Sequence, residues 1–101
     1  MSNRLEGILL AAGESRRMGY PKPLLTIEGK TFIEKIAAAM LVVVPRLVVV
    51  LGAHADRIRR AIPRDERIVI VENPNYSRGQ LSSLKIGLGV VQNDAAGALV
   101  Q

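Results

Sequence analysis

The chain of 101 residues contains no cysteine and no tryptophan, one histidine and three aromatic residues, Tyr20, Phe32 and Tyr76. Without cysteine there is neither a disulfide framework nor a thiolate zinc site, a composition compatible with the cytosol. The scarcity of aromatics bears on the charge. A formal +5 and a pI near 10.2 invite a nucleic-acid reading. Single-strand and RNA surfaces, however, set stacking platforms beside their basic groove. Here the cations are scattered and the platforms missing, so no nucleic-acid partner is expected. Long apolar runs are missing too. The longest, residues 36–44, stops at Pro45 and falls well short of the roughly 18 residues that a spanning helix needs. No charged region leads into an apolar stretch at the N-terminus, so no membrane partner and a cytoplasmic location are expected. No repeat, linker or low-complexity tract divides the chain, and its size suits one domain with a modest core.

What is present centres on residues 9–22, LLAAGESRRMGYPK. An apolar run over residues 5–12, interrupted only by Glu6 and Gly7, reads as a buried strand that stops at Gly13. Beyond it come Arg16, Arg17 and, behind Pro21, Lys22. A small-residue turn at a strand end exposes backbone N–H groups, and Gly13 and Gly19 permit close approach. With three cations nearby, the arrangement suits a polyanion such as a triphosphate. A solvated basic loop is the plain alternative, and it is the spacing that weighs against it.

Gly29-Lys30-Thr31 imitates the tail of a P-loop, but the required earlier glycine falls on Leu24. Thr31 is better read as a helix cap with Glu34 closing a capping box. Ile33, Ile36, Ala37, Met40 and Val44 then share a helical face up to Pro45. Residues 46–51, RLVVVL, form a strand covered on both faces, closed by Gly52. Residues 55–62 form a short helix burying Ile58 and Ile62, with Arg57, Arg59, Arg60 and Arg64 on its solvated side. His54, at the junction before it, reads as a loop histidine with local hydrogen bonds. A third strand covers residues 67–71.

The second informative stretch is residues 72–88. Asn73-Pro74-Asn75 is a turn, and Ser77 with Gln80 reads as another capping box. Leu81, Leu84, Leu88 and Val91 recur at helical spacing as the buried stripe. Ser82 and Ser83 fall near the helix N-terminus, where anions and polar ligand atoms are favoured. Gly87-Leu88-Gly89 starts like a dinucleotide fingerprint but has Gln92 at the third glycine position. A fourth strand begins at residue 98. The alternation predicts an α/β fold, three-layer and Rossmann-like, with a parallel sheet in order 3-2-1-4. The Gly13 loop then sits where the strand order reverses, at the carboxyl edge that binds ligands in open α/β sheets.

The run L-A-A-G-x-S-x-R-M-G-x-x-K, residues 10–22, resembles the signature of molybdenum cofactor nucleotidyltransferases, the MobA-like NTP transferases; isoprenoid-pathway cytidylyltransferases carry a similar one. Asn73, Gly79 and Ser83 match a second family segment, N-x-x-x-x-x-G-x-x-x-S. The resemblance implies a glycosyltransferase-A-like fold, with residues 1–101 as the nucleotide-binding half. It implies transfer of CMP or GMP from CTP or GTP to a molybdopterin-type acceptor, with release of pyrophosphate. Ala11 and Ala12 look closer to the cytidylyl branch. By the same resemblance, backbone at Ala11, Ala12 and Gly13 meets the nucleotide, and Arg17 and Lys22 serve as catalytic phosphate contacts. Asn73, Gly79 and Ser83 hold base or ribose, while Arg16 falls at a variable position. Magnesium is implied as cofactor, its aspartate ligand expected beyond Gln101, and no metal ligand is assigned within the chain. Ending on a strand, the chain is expected to be inactive alone and to self-associate through an open sheet edge. Two other readings stay open: a cytidylyl- or sugar-phosphate nucleotidylyltransferase of another pathway, and a non-catalytic nucleotide-binding remnant.

Overall fold

The computed structural model describes residues 5–12, 24–91 and 97–100. Four parallel strands build the main sheet: β1 (Leu5–Ala11), β4 (Leu47–Leu51), β5 (Ile68–Glu72) and β6 (Gly97–Val100). They lie in the order β5-β4-β1-β6, which in chain order is the expected 3-2-1-4. Between them run α1 (Phe32–Val43), α2 (Ala55–Ala61) and α3 (Gln80–Val90). Every residue of β4 is buried, as a central strand with helices on both faces requires.

Alternation along the strands sends two sets of side chains to opposite faces. Leu9, Leu47, Val49 and Leu51 pack with Ile33, Ala37, Met40 and Ile58 of α1 and α2. Ile8, Val48 and Val50 meet Leu84, Ile86 and Val90 of α3. The result is the predicted three-layer sandwich. The fold class therefore stands, with strand and helix ends shifted by about a residue, as local periodicity usually allows.

A small hairpin precedes α1. β2 (Thr26–Ile27) pairs antiparallel with β3 (Lys30–Thr31) across Glu28 and Gly29. Both turn residues have positive φ, 55° and 84°, the primed geometry whose twist matches two-residue hairpins. Thr31 then caps α1 as the sequence predicts. Its Oγ1 accepts the Glu34 N–H at 3.2 Å, and Glu34 Oε1 accepts the Thr31 N–H at 3.0 Å. Met40 is buried in the core on the predicted face.

Two expectations about α3 are corrected. Ser77 does not cap it, because residues Tyr76–Arg78 form a 3₁₀ turn and the helix starts beyond them. The capping position belongs to Gly79, and no side chain caps the helix there. The predicted leucine stripe is also rotated off the sheet. Leu81 and Leu88 are 63% and 49% exposed, whereas Ser83 and Gly87 are buried. The reason is close approach: a Cβ on Gly87 would lie 2.8 Å from Ile8 Cγ2 and 3.3 Å from Val50 Cγ2. Small residues let α3 lie close to the sheet, and Leu84 and Val91 pack at the flank of that seam.

Candidate functional site

The carboxyl ends of β1, β4 and β5 come together at one edge, and short-range contacts tie them there. Ala11 and Ala12, ending β1, are buried at 7% and 3% exposure. The Ala53 N–H donates to the Ala12 carbonyl at 3.1 Å, fastening the residue that follows β1 to the turn after β4. Gly52, in that turn, lies against Tyr76. A Cβ at Gly52 would overlap Tyr76 Cβ, and would come within 2.8 Å of Tyr76 Cγ and 2.9 Å of Ala12 Cβ.

Asn73 is the joint on the other side. Its N–H donates to the Leu51 carbonyl at 2.6 Å, which continues the pairing of β5 with β4. Its side chain is 1% exposed and fully engaged. Nδ2 donates to Ser82 Oγ and Ser83 Oγ, both at 2.9 Å, and Oδ1 accepts the Asn75 N–H at 2.9 Å. The last bond is the side-chain-to-backbone turn that asparagine favours. Ser82 Oγ in turn is within donating distance of the Gly79 carbonyl, 2.8 Å, and the Asn75 carbonyl, 3.3 Å. One amide thus clamps the first turn of α3 to the end of β5.

Gly79 sits between these partners with φ 105° and ψ 174°. A Cβ there would meet nothing within 4 Å, so glycine is required by backbone conformation and not by space. The structure therefore brings Ala11, Ala12, Asn73, Gly79 and Ser83 to one edge of the sheet. Asn73 and Ser83, 2% exposed, face inward in it. Gly13, Arg16, Arg17, Gly19 and Lys22 lie outside the described residues. Sequence reasoning missed Gly52, Tyr76 and the bonding role of Ser82. A glycine closing a buried strand was the only available signal.

Several other polar groups among the described residues sit elsewhere or are paired. Glu72, a carboxylate near this edge, pairs with Arg59 at 3.1 Å. Arg57, Arg59, Arg60 and Arg64 are exposed, as a solvated helix side predicts. His54 is exposed with φ 57° and makes no side-chain cap bond, so its carbonyl, accepting the Ile58 N–H at 3.0 Å, is its contribution to α2. Hydrogen bonds from Thr31 hold Glu34 below the usual carboxylate range. The Arg67 guanidinium, hydrogen-bonded to Asp65, lowers that carboxyl to about 2. Neither carboxylate is among the predicted site residues. Clefts of about 420, 550 and 260 Å³ share Pro63 in their lining, and no predicted site residue lines them. Among the described residues no three His, Cys, Asp or Glu side chains gather as a metal site. No helix among them is long and apolar enough to cross a membrane.

A parallel α/β sheet whose order reverses beside β1, with a strand end, a glycine-dependent turn and a helix N-terminus at the same edge, is the architecture of Rossmann-like ligand-binding domains. Within that class the chain belongs to the MobA-like NTP transferase domain family, whose model matches residues 7–100. It is 30% identical over 90 residues to the molybdenum cofactor cytidylyltransferase of Escherichia coli K12, covering 89% of this chain and 47% of that protein. It is 33% identical over 94 residues to a probable molybdenum cofactor guanylyltransferase of Bacillus cereus G9842, covering 91% and 46%. Among solved structures, a nucleotidyl transferase from Methanothermobacter superposes with TM-score 0.79 at 25% identity, over 97% of this chain and 50% of that one. The chain spans about half the length of the curated relatives it matches.

Proposed function

We propose that this chain is the nucleotide-binding half of a nucleotidyltransferase. The enzyme would take CTP or GTP and transfer CMP or GMP to a phosphorylated acceptor such as the molybdenum cofactor. An acceptor phosphate oxygen attacks the α-phosphorus, the bond from that phosphorus to the bridging oxygen breaks, and pyrophosphate leaves. Such a displacement asks the protein for positioning and for neutralisation of phosphate charge. The observation that carries the reading is the convergence at one sheet edge of Ala12, tied to Ala53, with the Asn73-clamped start of α3. Family membership and relatives named for both cytidylyl and guanylyl transfer support it.

The division of labour follows from chemistry. Phosphates are common to every nucleotide, so the Gly13 loop, with Arg17 and Lys22, takes the part that does not discriminate. Base and ribose fall to the segment from Asn73 to Ser83. With their own polar atoms turned inward, Asn73 and Ser83 serve that segment by holding its backbone and the α3 N-terminus in place. The magnesium implied by the family finds no set of ligating side chains among the described residues, and what these residues supply is positioning.

Calorimetric titration of CTP and GTP into the chain and into Lys22→Ala tests the reading. A charge-assisted phosphate contact is worth about 1.5–3 kcal/mol, so the variant should bind roughly tenfold or more weakly. Equal affinities would remove Lys22 from the site. No binding of either nucleotide by the wild-type chain would overturn the reading itself.

A further inference from the structure

β5 is the last strand of the main sheet on its side, and among the described residues it pairs with β4 alone. Edge strands ordinarily carry a lysine, a proline or a bulge that discourages a further strand. β5 reads Ile-Val-Ile-Val-Glu, and its register with β4 runs without a bulge from Ile68 to Glu72. Its open side follows from the bonds already made. The Arg67 carbonyl accepts the Leu47 N–H at 2.8 Å, and the Asn73 N–H donates to the Leu51 carbonyl at 2.6 Å. In a parallel ladder every second residue bonds the same neighbour, so Val69 and Val71 also turn their backbone towards β4. Ile68, Ile70 and Glu72 turn theirs outward. The Asp65 carbonyl takes the Ile68 N–H at 3.0 Å, which leaves the N–H and C=O of Ile70 and the N–H of Glu72 facing out.

The side chains beside this edge are of two kinds. Ile68 and Ile70 lie on the face of α1 and α2, where the cleft of about 550 Å³ is lined by α2, the turn behind it and β5. Arg59, Arg60 and Arg64 line it, with Asp65 as its carboxylate. Asp65 is held by Arg67 at 2.7 Å, and Arg59 by Glu72 at 3.1 Å. Among the described residues no carboxylate pairs with Arg60 or Arg64, so these two guanidiniums leave the cleft positive. Val71 lies on the other face, half-buried against the apolar packing of α3.

We propose that the outer edge of β5 is a docking site for an extended, acidic segment of a partner protein, which adds a strand to the sheet. Backbone pairing with Ile70 and Glu72 holds the segment, and its side chains set the specificity. Every second side chain falls on the α2 face, where Arg60 and Arg64 call for carboxylates. Those in between fall on the side of Val71, where apolar groups fit. The expected segment therefore alternates Asp or Glu with Val or Ile. A second copy of this chain is the poorer occupant. Pairing two β5 edges antiparallel sets both arginine groups on one face, and like charges across an interface are penalised. This surface lies along a different border of the sheet from the nucleotide edge, so the inference goes beyond the nucleotide reading and does not depend on it.

The test titrates the end-capped peptide Glu-Val-Glu-Val-Glu-Val-Glu into the 101-residue chain, followed by NMR shifts and amide exchange, with thermal melts to confirm that each variant folds. Shifts should centre on β5, and exchange of the Ile70 N–H should slow by at least about tenfold at saturation. Added salt should weaken binding. The same peptide N-methylated at every interior residue keeps its charges but loses its donors, and it should not bind. The double variant Arg60→Glu with Arg64→Glu should bind the acidic peptide at least about tenfold more weakly, and should take up a Lys-Val peptide that wild type refuses. Equal binding of the N-methylated peptide would mean that charge alone is at work and overturns the added strand. Salt-independent binding, or unchanged affinity in the double variant, overturns the acidic partner. A dimer in sedimentation with the Ile70 N–H already protected gives the edge to a second copy and overturns it as well. A wild-type chain that binds no peptide overturns the docking site itself.

Discussion

Replacing Asn73 by alanine should be among the most damaging single changes at the carboxyl edge, because its amide serves three partners at once. The magnitude follows from what each partner loses. Asn75 is exposed, so its N–H exchanges the Oδ1 acceptor for water at little cost. Ser82 is half-buried and keeps the Gly79 and Asn75 carbonyls within reach. Ser83 is 2% exposed, and its Oγ loses the Nδ2 donor with no water to replace it. A net hydrogen bond contributes about 0.5–1.5 kcal/mol, and a buried polar atom left without a partner costs about 1–3 kcal/mol. Together these give a loss of about 2–4 kcal/mol for Asn73→Ala. For a chain whose total stability is on the order of 5–15 kcal/mol, that is a large share. Urea unfolding would read it as a lower midpoint at unchanged slope. Hydrogen exchange should also quicken selectively at the start of α3, since the clamp holds that turn and not the β1–β4 pairing. A double-mutant cycle with Ser83→Ala isolates the central bond, with an expected coupling of about 1 kcal/mol. A loss below about 0.5 kcal/mol, or a vanishing coupling, would refute the clamp.

Two further changes probe places where local chemistry is fully specified. Thr31→Ala removes the capping box at the start of α1 and should cost about 1 kcal/mol, read as a fall in Tm of roughly 4–8 °C. Arg67→Gln should return the Asp65 carboxyl from about 2 toward its unfolded value near 3.9, followed by carboxyl NMR titration. The sign of the linked effect is set by the lowered folded value. The pair stabilises the chain fully above the unfolded pKa, and this contribution fades as pH falls from about 4 toward 2. The variant should show less of that acid sensitivity. An unmoved titration would mean the guanidinium is not its cause.

The parts of the fold that were legible in the sequence are those with a one-dimensional rule. The run RLVVVL could only be a strand covered on both faces, and Thr31 with Glu34 spelled a cap whose two bonds are both present. α3 defeated the same reasoning. Counting apolar residues picked out Leu81 and Leu88, but close approach to Ile8 gave the inner face to Ser83 and Gly87. A rule that equates burial with large apolar side chains fails wherever a helix lies close enough to need small ones. Ser77 failed for a related reason: the pattern of a cap was present, yet the backbone at Gly79 had already turned to φ 105°. At the site, Asn73, Gly79 and Ser83 were visible through a motif. The Gly52–Tyr76 contact was not, since it joins residues on different strands' ends and leaves no periodic trace.

The sheet's other end explains how that geometry is held. Glu6 interrupts the apolar run of β1, and its side chain is 1% exposed. It is ion-paired with Arg46, whose Nη1 also donates to the Val90 carbonyl at 3.3 Å, so the pair joins β1, the entry to β4 and the end of α3. A buried pair of charges adds little to stability over apolar residues of the same size, but it penalises arrangements that separate it. Sliding β1 by one residue against β4 would turn Glu6 into the layer of Met40 and Leu47 and bring Leu9 to face α3. The pair is thus matched to the register in which Ile8 lies beside Val48 and Ala11 beside Leu51, the register that the apolar alternation of the two strands also demands. That register fixes where Ala12 emerges relative to Gly52, and so fixes the gap into which Tyr76 fits.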